Sequence, residues 1–281
     1  MKKLTLFVLA GMLGFVHPLM AAEPATVSEP GFVSLFDGHS LNGWAGAVAM
    51  YGVDSGHLCC FPERPLPSGG LGNLVTERSY RNFILRFDVM MSENGNSGLG
   101  IRMVNPGADA AYEAMCEVQL LDDGGSHFFD RIARKPKLLP YQYTCSIYGI
   151  QAARRDNRKM LDDNGTPFVG NGSYSYQVGH WNAVEVRVAG TAIRVTLNGF
   201  RVIDTDVCAL KGTGDTLDGK PHPGLHAPQG RIGWLGHGSH VRWRNIRLLE
   251  LPDTATMADA DRCAEPPADR AAPLKEQTKT L

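Results

Sequence analysis

The sequence predicts an all-β fold, an antiparallel sandwich or jelly roll, and three observations support this prediction. Short segments with alternating apolar and polar residues recur along the chain, and Gly, Pro, Asn and Asp separate them. No sustained helical periodicity follows the N-terminal apolar segment. The strand-like segments are regularly spaced, which is typical of one sandwich rather than of two domains.

Five strand-like segments are especially clear: Asn82–Met91, Ala114–Asp122, Ala183–Gly190, Ala192–Gly199 and Val241–Leu251. A glycine and an Asn-Gly pair form tight turns that join three successive antiparallel strands. We place the folded domain at residues 31–251. Two long segments without a strand pattern interrupt it, at residues 150–179 and 209–230, and long loops on a sandwich often carry function.

The two ends of the chain differ from this domain. Residues 1–22 combine a basic start, an apolar run and the small-residue site "LMAAE", which is typical of a cleaved signal peptide. No later segment has the roughly 18 apolar residues that a membrane-spanning helix needs. We therefore expect a periplasmic or secreted protein. Residues 252–281 are polar, rich in Pro and Ala and free of aromatic residues, which predicts a disordered tail.

Composition limits the classes of partner and cofactor. The 281 residues are 43% hydrophobic, which is enough for a substantial core. The formal net charge of -1 provides no broad basic field, so we expect no nucleic-acid partner. The six cysteines show no C-x-x-C or Cys/His spacing of a zinc site. Export permits disulfide bonds, so we expect core thiols or one or two bridges, with the pairing left open.

Polar side chains share one face of the predicted strand Ala114–Asp122. Alternation puts Glu117 and Gln119 on the face opposite Cys116, Val118 and Leu120. A solvated outer face is the ordinary explanation for such a pattern in an antiparallel sheet. The alternative is a mixed cluster that binds hydroxyl groups, completed by Asp122 and by Arg102 from a neighbouring strand. A concave sheet lined in this way is typical of a carbohydrate site.

Five motifs occur in an order and spacing that resemble a known family: "GFVSLFDGHSLNGW", "NSGLGIR", "YEAMCEVQLLDD", "WNAVEVRVAGTAIRVTLNG" and "GRIGWLGHGSHVRWRNIRLLEL". The family is the exported bacterial 3-keto-disaccharide hydrolases, and the resemblance covers residues 31–251. It implies a concanavalin-like jelly roll of two antiparallel sheets with a concave face. It also implies hydrolysis of glycosides whose sugar is oxidised at carbon 3.

The chemistry of such a substrate defines what the site must supply. A ketone at carbon 3 acidifies the hydrogen on carbon 2, so a base can remove it. The enolate then expels the glycosidic oxygen from carbon 1, and water adds. The site needs a base, a group that stabilises the enolate and a proton donor for the leaving group. Ordinary glycoside hydrolysis uses two flanking carboxylates instead.

The resemblance carries three catalytic candidates over to this sequence. Glu117 is the preferred base or metal ligand, because burial on a concave face raises a carboxyl pKa. Its alternative role is an ion pair with Arg102 that holds two strands together. Arg102 is the candidate for stabilising the enolate, provided that it lies on the concave face. His237 is the candidate general acid or metal ligand, and its alternative role is that of a turn residue.

The same carry-over predicts the substrate-binding residues Asn96, Ser97, Gln119, Asp122, Tyr148 and Asn198. A divalent metal is an open alternative, with ligands from Glu117, Asp122, Asp123 and His237, although no local spacing requires one. His222 and His226 belong to a loop that can line the same mouth, yet solvated loop histidines are more common.

Two positions depart from the family pattern. Gly100 replaces a bulky residue, and Leu235 replaces a glutamine. We expect a widened pocket and an altered substrate. Two other classes of function stay open: a noncatalytic carbohydrate-binding jelly roll, and a conventional glycosidase or lyase with two carboxylates about 5–10 Å apart.

Overall fold

The computed structural model describes residues 29–64, 72–105, 114–130, 132–133, 135–154, 178–210 and 215–264. These residues form two large antiparallel β-sheets, a separate two-stranded pair and one short α-helix. The all-β, concanavalin-like jelly-roll class predicted from the sequence is confirmed. The predicted signal peptide and most of the first long loop lie outside the described residues.

Eight strands form the larger sheet: β1 (Val33–Ser34), β3 (Tyr51–Asp54), β4 (His57–Cys60), β6 (Asn82–Met91), β11 (Asn182–Ala189), β12 (Ala192–Leu197), β13 (Phe200–Asp206) and β15 (Val241–Leu251). Their order is β13-β12-β11-β6-β15-β4-β3, and β1 also pairs with β15. Two positive-φ residues, Asn198 and Gly199, form the turn between β12 and β13, as the Asn-Gly pair predicts.

Five strands form the smaller sheet: β2 (Trp44–Gly46), β5 (Leu74–Tyr80), β7 (Asn96–Met103), β8 (Cys116–Leu121) and β14 (Gly230–Gly236). Their order is β2-β5-β14-β7-β8, so β8 is an edge strand. The two-residue strands β9 (Phe129–Asp130) and β10 (Lys135–Pro136) pair separately.

The core lies between the two sheets. Trp234 of β14 packs against Trp243 of β15 and Phe87 of β6, with ring centroids 5.0 Å and 4.9 Å away. Leu99 of β7 and Val118 of β8 belong to the same buried cluster. Because successive side chains of a strand alternate between faces, the intervening positions of β7 and β8 lie on the outer face of the smaller sheet.

The C-terminal segment contains the helix α1 (Met257–Ala264), so the predicted disorder is wrong for this part of the tail. Ala260 is fully buried in a cluster with Ile84 and Leu251. Asp261 accepts hydrogen bonds from Arg187 and Arg194 of the larger sheet. Packing and ion pairing therefore stabilise this short helix. Residues 265–281 lie outside the described residues.

The cysteines are unpaired in the structure. Four of them, Cys59, Cys60, Cys116 and Cys145, are buried thiols, whereas Cys208 and Cys263 are exposed. The core-thiol alternative therefore holds for the four buried residues. In the described ranges, the single helix is too short and too polar to cross a bilayer.

Candidate active site on the smaller sheet

On the outer face of the smaller sheet, two polar side chains of β8 lie next to two glycines of β7. Glu117 and Gln119 project from β8 on this face, away from the core residue Val118. In the strand pairing, Gly100 lies opposite Glu117 and Gly98 lies opposite Gln119. The face therefore combines a carboxyl group and an amide with two buried glycines at its centre.

Glu117 is the most unusual residue of this face. Only 5% of its surface is exposed, and within the described residues no hydrogen bond or ion pair reaches its carboxyl group. Burial alone raises the pKa of this carboxyl group from 4.5 to about 8. A buried carboxyl group without a partner is costly for folding, and such groups are concentrated at functional sites.

Tyr148 lies beside Glu117 because an irregular segment pairs with the edge of β8. The Tyr148 N–H donates to the Glu117 carbonyl oxygen at 2.9 Å, and the Cys145 N–H donates to the Gln119 carbonyl oxygen at 2.7 Å. The Tyr148 hydroxyl accepts a hydrogen bond from Gln142 Nε2 at 3.3 Å. The same hydroxyl group also carries a hydrogen that can be donated, and no acceptor for it is found among the described residues.

An apolar wall occupies the rest of this face. It consists of Val75, Met103, Ala114, Met115 and Leu235, against which Tyr148 also packs. These side chains exclude water and offer no hydrogen-bond donor, which explains why burial raises the pKa of Glu117. Leu235, which replaces the family glutamine, is part of this wall.

The predicted widening at Gly100 is wrong. A Cβ atom at this position would lie 2.8 Å from the sulfur atoms of both Met103 and Met115. The two thioethers therefore fill the space that the missing side chain leaves. The departure from the family pattern changes the packing of the apolar wall rather than opening a pocket.

Arg102 does not lie beside Glu117, so both the predicted ion pair and the predicted catalytic placement are wrong. Its Nη1 donates to the Leu225 carbonyl oxygen at 2.7 Å, and its Nη2 donates to the Gly190 carbonyl oxygen. Gly190 lies in the turn between β11 and β12 of the larger sheet. Arg102 therefore links the two sheets, and it acts as a structural residue at the edge of the sandwich.

A β-bulge explains this position. Between two paired positions, β7 has the residues Ile101 and Arg102, whereas β14 has only Ile232. Arg102 also has a positive φ of 53°. One extra residue in a strand reverses the alternation beyond it, so Met103, and not Arg102, joins the outer face.

The predicted substrate-binding residues separate into two groups. Gln119 and Tyr148 lie next to Glu117, and alternation puts Asn96 on the same face as Gly98. The Asn96 Oδ1 atom is buried and has no partner among the described residues, so it can accept a hydrogen bond from a ligand. These three residues and Glu117 are brought together by the fold.

The remaining predicted residues have structural contacts. The Ser97 hydroxyl donates to the Leu235 carbonyl oxygen at 2.8 Å, and Asp122 accepts from the Asn94 N–H at 2.8 Å. Asn198 accepts from the Ala183 N–H at 2.8 Å in a turn of the larger sheet. Ser97 and Asn198 therefore do not line the site, because strand alternation and sheet membership place them elsewhere. His237 is half-buried, one residue beyond β14.

The sequence interpretation missed a buried Asp–His pair close to Tyr148. His222 Nε2 lies 3.1 Å and 3.2 Å from the two carboxylate oxygens of Asp218. The side chain of His222 is fully buried, contrary to its expected exposure, and its Nδ1 has no partner in the described chain. The pair packs against Gly149, where a Cβ atom would lie 2.8 Å from His222 Nε2. The Asp-x-x-x-His spacing was the available signal.

The described residues offer no ready metal centre. Within them, no three His, Cys, Asp or Glu side chains converge as a metal site requires. Asp122 is engaged by the Asn94 N–H, and Asp123 accepts from the Thr144 N–H at 3.2 Å. The donor set expected for a divalent cation is therefore not assembled among the described residues.

A cavity of about 390 Å³ lies on the other side of the sandwich, over the outer face of the larger sheet. Its charged side chains neutralise one another in ion pairs, such as those of Glu185 with Arg86 and Arg187 and of Arg201 with Asp204. It contains none of the predicted site residues. We therefore place the candidate active site on the smaller sheet, around Glu117.

The fold and the site together define a carbohydrate-related β-sandwich. The chain belongs to the 3-keto-alpha-glucoside-1,2-lyase-like domain family, whose model matches residues 31–249. The resemblance carried by the five motifs is therefore confirmed. No curated protein matches the sequence.

Among the solved structures similar to this chain are two candidate glycosyl hydrolases from Parabacteroides distasonis ATCC 8503. The first is 22% identical with a TM-score of 0.62, and the alignment covers 79% of this chain and 95% of the other. The second is 23% identical with a TM-score of 0.57, and the alignment covers 78% of this chain and 99% of the other. At these identities the similarity supports the fold alone.

Proposed function

We propose that this chain is an exported enzyme that cleaves 3-keto-glycosides by elimination across carbons 1 and 2, followed by addition of water. The observation that carries this proposal is Glu117, a carboxyl group buried beside an apolar wall without a hydrogen-bond partner in the described chain. Membership of a 1,2-lyase-like family supports the elimination step.

Glu117 has the properties of a base for a carbon acid. With a pKa of about 8, roughly one tenth of the molecules carry the carboxylate at pH 7. This carboxylate is a stronger base than an exposed one, which suits removal of a proton next to a ketone. The C–H electron pair forms the C1–C2 double bond through the enolate, and the C1–O bond breaks. Glu117 then exchanges this proton with solvent and protonates carbon 2 as water adds to carbon 1.

Neighbouring polar groups supply the other roles. Tyr148 lies beside Glu117, so we assign its hydroxyl group two steps: it donates a proton to the leaving oxygen and then takes up the proton that water loses on adding to carbon 1, with His237 as the second candidate. Gln119 and Asn96 are assigned to the sugar hydroxyl groups. Arg102 is left out of the mechanism because both its Nη atoms are bonded to backbone carbonyl groups.

A conventional glycosidase mechanism is less well supported. It needs two carboxylates about 5–10 Å apart across the substrate. Burial is the sole cause that raises the pKa of Glu117, with no contribution from a neighbouring carboxylate. The described part of this face therefore favours a single proton-transfer group over a carboxylate pair.

The test compares matched disaccharides that differ only in oxidation at carbon 3, each with and without a chelator. We expect sugar release from the oxidised substrate alone, and loss of at least about 100-fold in turnover in Glu117→Gln. Equal cleavage of both substrates would contradict the ketone-dependent mechanism. Binding of both without cleavage would indicate the noncatalytic module instead. Loss of activity with the chelator would establish a metal requirement.

A further inference from the structure

The two glycines at the centre of β7 have different neighbours. A Cβ atom at Gly98 would overlap Oε1 of Glu117 and would lie 2.9 Å from its Cδ and 3.0 Å from its Cγ. All three nearest atoms belong to this one side chain. At Gly100, the strand partner of Glu117, the space is instead filled by the sulfur atoms of Met103 and Met115.

The side chain of Glu117 therefore leans diagonally across the strand pair. It lies over Gly98 rather than over Gly100, its direct partner. Gly98 is not in the left-handed region of φ, so its backbone tolerates any residue. The absence of a side chain at this position is explained by the space that Glu117 occupies, and not by a turn or by backbone strain.

We propose that Gly98 is the positioning residue for Glu117, because its bare α-carbon forms the seat in which the carboxyl group lies flat against the sheet and away from water. A glycine inside a strand can also let a ligand approach the backbone closely, but at Gly98 the side chain of Glu117 occupies that space. The catalytic consequence rests on the proposed function, whereas the seat itself does not.

A methyl group at position 98 must displace the carboxyl group, since heavy atoms do not approach this closely without repulsion. The displaced group moves toward solvent and becomes hydrated. Hydration stabilises the carboxylate, so the pKa of Glu117 falls toward its usual value, and the carboxylate becomes a weaker base. The enzyme then loses turnover, and its pH profile shifts to lower pH.

The first test is a double-mutant cycle on urea unfolding with Gly98→Ala, Glu117→Ala and the double variant. We expect Gly98→Ala to shift the unfolding midpoint in the natural chain and to shift it much less when the Glu117 side chain is absent. Equal shifts in both backgrounds overturn the proposal. If Gly98→Ala does not fold, recovery of folding in the double variant supports the seat, and failure of both to fold overturns it.

The second test follows the protonated carboxyl band of Glu117 by infrared titration, with Glu117→Gln to assign the band. We expect a midpoint near pH 8 in the natural chain, a fall of at least about one unit in Gly98→Ala and no change in Gly100→Ala. A merely structural glycine would change stability and leave the midpoint in place. An unshifted midpoint in Gly98→Ala contradicts the proposal.

These readouts do not depend on turnover. If the natural chain cleaves neither disaccharide while the cycle shows coupling, the proposed function fails and the seat stands. If the natural chain cleaves the oxidised disaccharide while the cycle shows no coupling, the seat fails and the proposed function stands. Gly100→Ala is the matched control, because it adds the same methyl group two residues along the same strand, against flexible thioethers.

Discussion

Glu117 combines two properties that ordinarily exclude each other, a carboxyl group and nearly complete burial without a partner in the described chain. Strand alternation and the family motifs predicted its face and its neighbour Gln119. They did not reveal the apolar wall, because Val75, Met103 and Leu235 come from three different strands. The wall is a product of long-range packing, and it is what moves the pKa into the range of a working base.

The raised pKa has a consequence for stability. The folded chain holds a proton on Glu117 up to about pH 8, whereas the unfolded chain loses it near 4.5. Stability is therefore fully present below 4.5 and is lost as pH rises toward 8, by up to about 1.4 kcal/mol per unit. Glu117→Gln keeps the neutral form, so we expect the variant to gain stability over the natural chain between pH 5 and 8. Urea unfolding of both proteins at pH 5 and at pH 8 measures this gain.

The exposed Glu77 of β5 provides the matched control for this prediction. Glu77→Gln removes a carboxylate from the same sheet without removing a buried group. We expect its stability to follow that of the natural chain across the same pH range. If the free energy of unfolding of Glu117→Gln also follows that of the natural chain across this pH range, the fold does not hold Glu117 protonated.

At the scale of the strand, one extra residue in β7 explains why the face predicted for Arg102 is wrong. The strands Asn82–Met91 and Val241–Leu251 were predicted with their observed bounds, although β15 also contains a bulge, between Arg244 and Arg247. In β7 the bulge at Ile101 and Arg102 breaks the period of two. Arg102 therefore leaves the face of Glu117, and no local signal in "NSGLGIR" marks this change.

We predict that Arg102→Met destabilises the fold without removing the chemistry. The variant leaves the Leu225 and Gly190 carbonyl oxygens without their donor, at a cost of about 2–4 kcal/mol in the free energy of unfolding. Turnover per folded molecule should stay within about threefold, because Arg102 is remote from the proposed reaction. Urea unfolding and kinetics on the same sample measure both quantities.

Arg201→Met is the control for this change, since the Arg201 side chain is 52% exposed and its ion pair with Asp204 contributes little. We expect the control to be close to the natural chain in both measurements. A large loss of turnover in Arg102→Met with unchanged stability would contradict this prediction and show that Arg102 takes part in catalysis.

At the scale of the whole molecule, the sandwich and its family were predictable because they depend on periodicity and on motifs spread over residues 31–249. The helix α1 was not, since eight residues with several charges resemble a disordered tail until Ala260 is packed and Asp261 is paired. The nearly complete burial of Glu117 was also not predictable. It depends on how the segment of Tyr148 pairs with the edge of β8 and how the outer face is packed.

The central claim is that Glu117 moves a proton at carbon 2 of an oxidised sugar. The most direct measurement is cleavage of a 3-keto-disaccharide in deuterium oxide, with mass spectrometry of the released keto-sugar and an enzyme-free control for spontaneous exchange. The account predicts one deuterium at carbon 2 of the product and loss of its formation in Glu117→Gln. Release of a product whose carbon 2 carries no more deuterium than the control would contradict it.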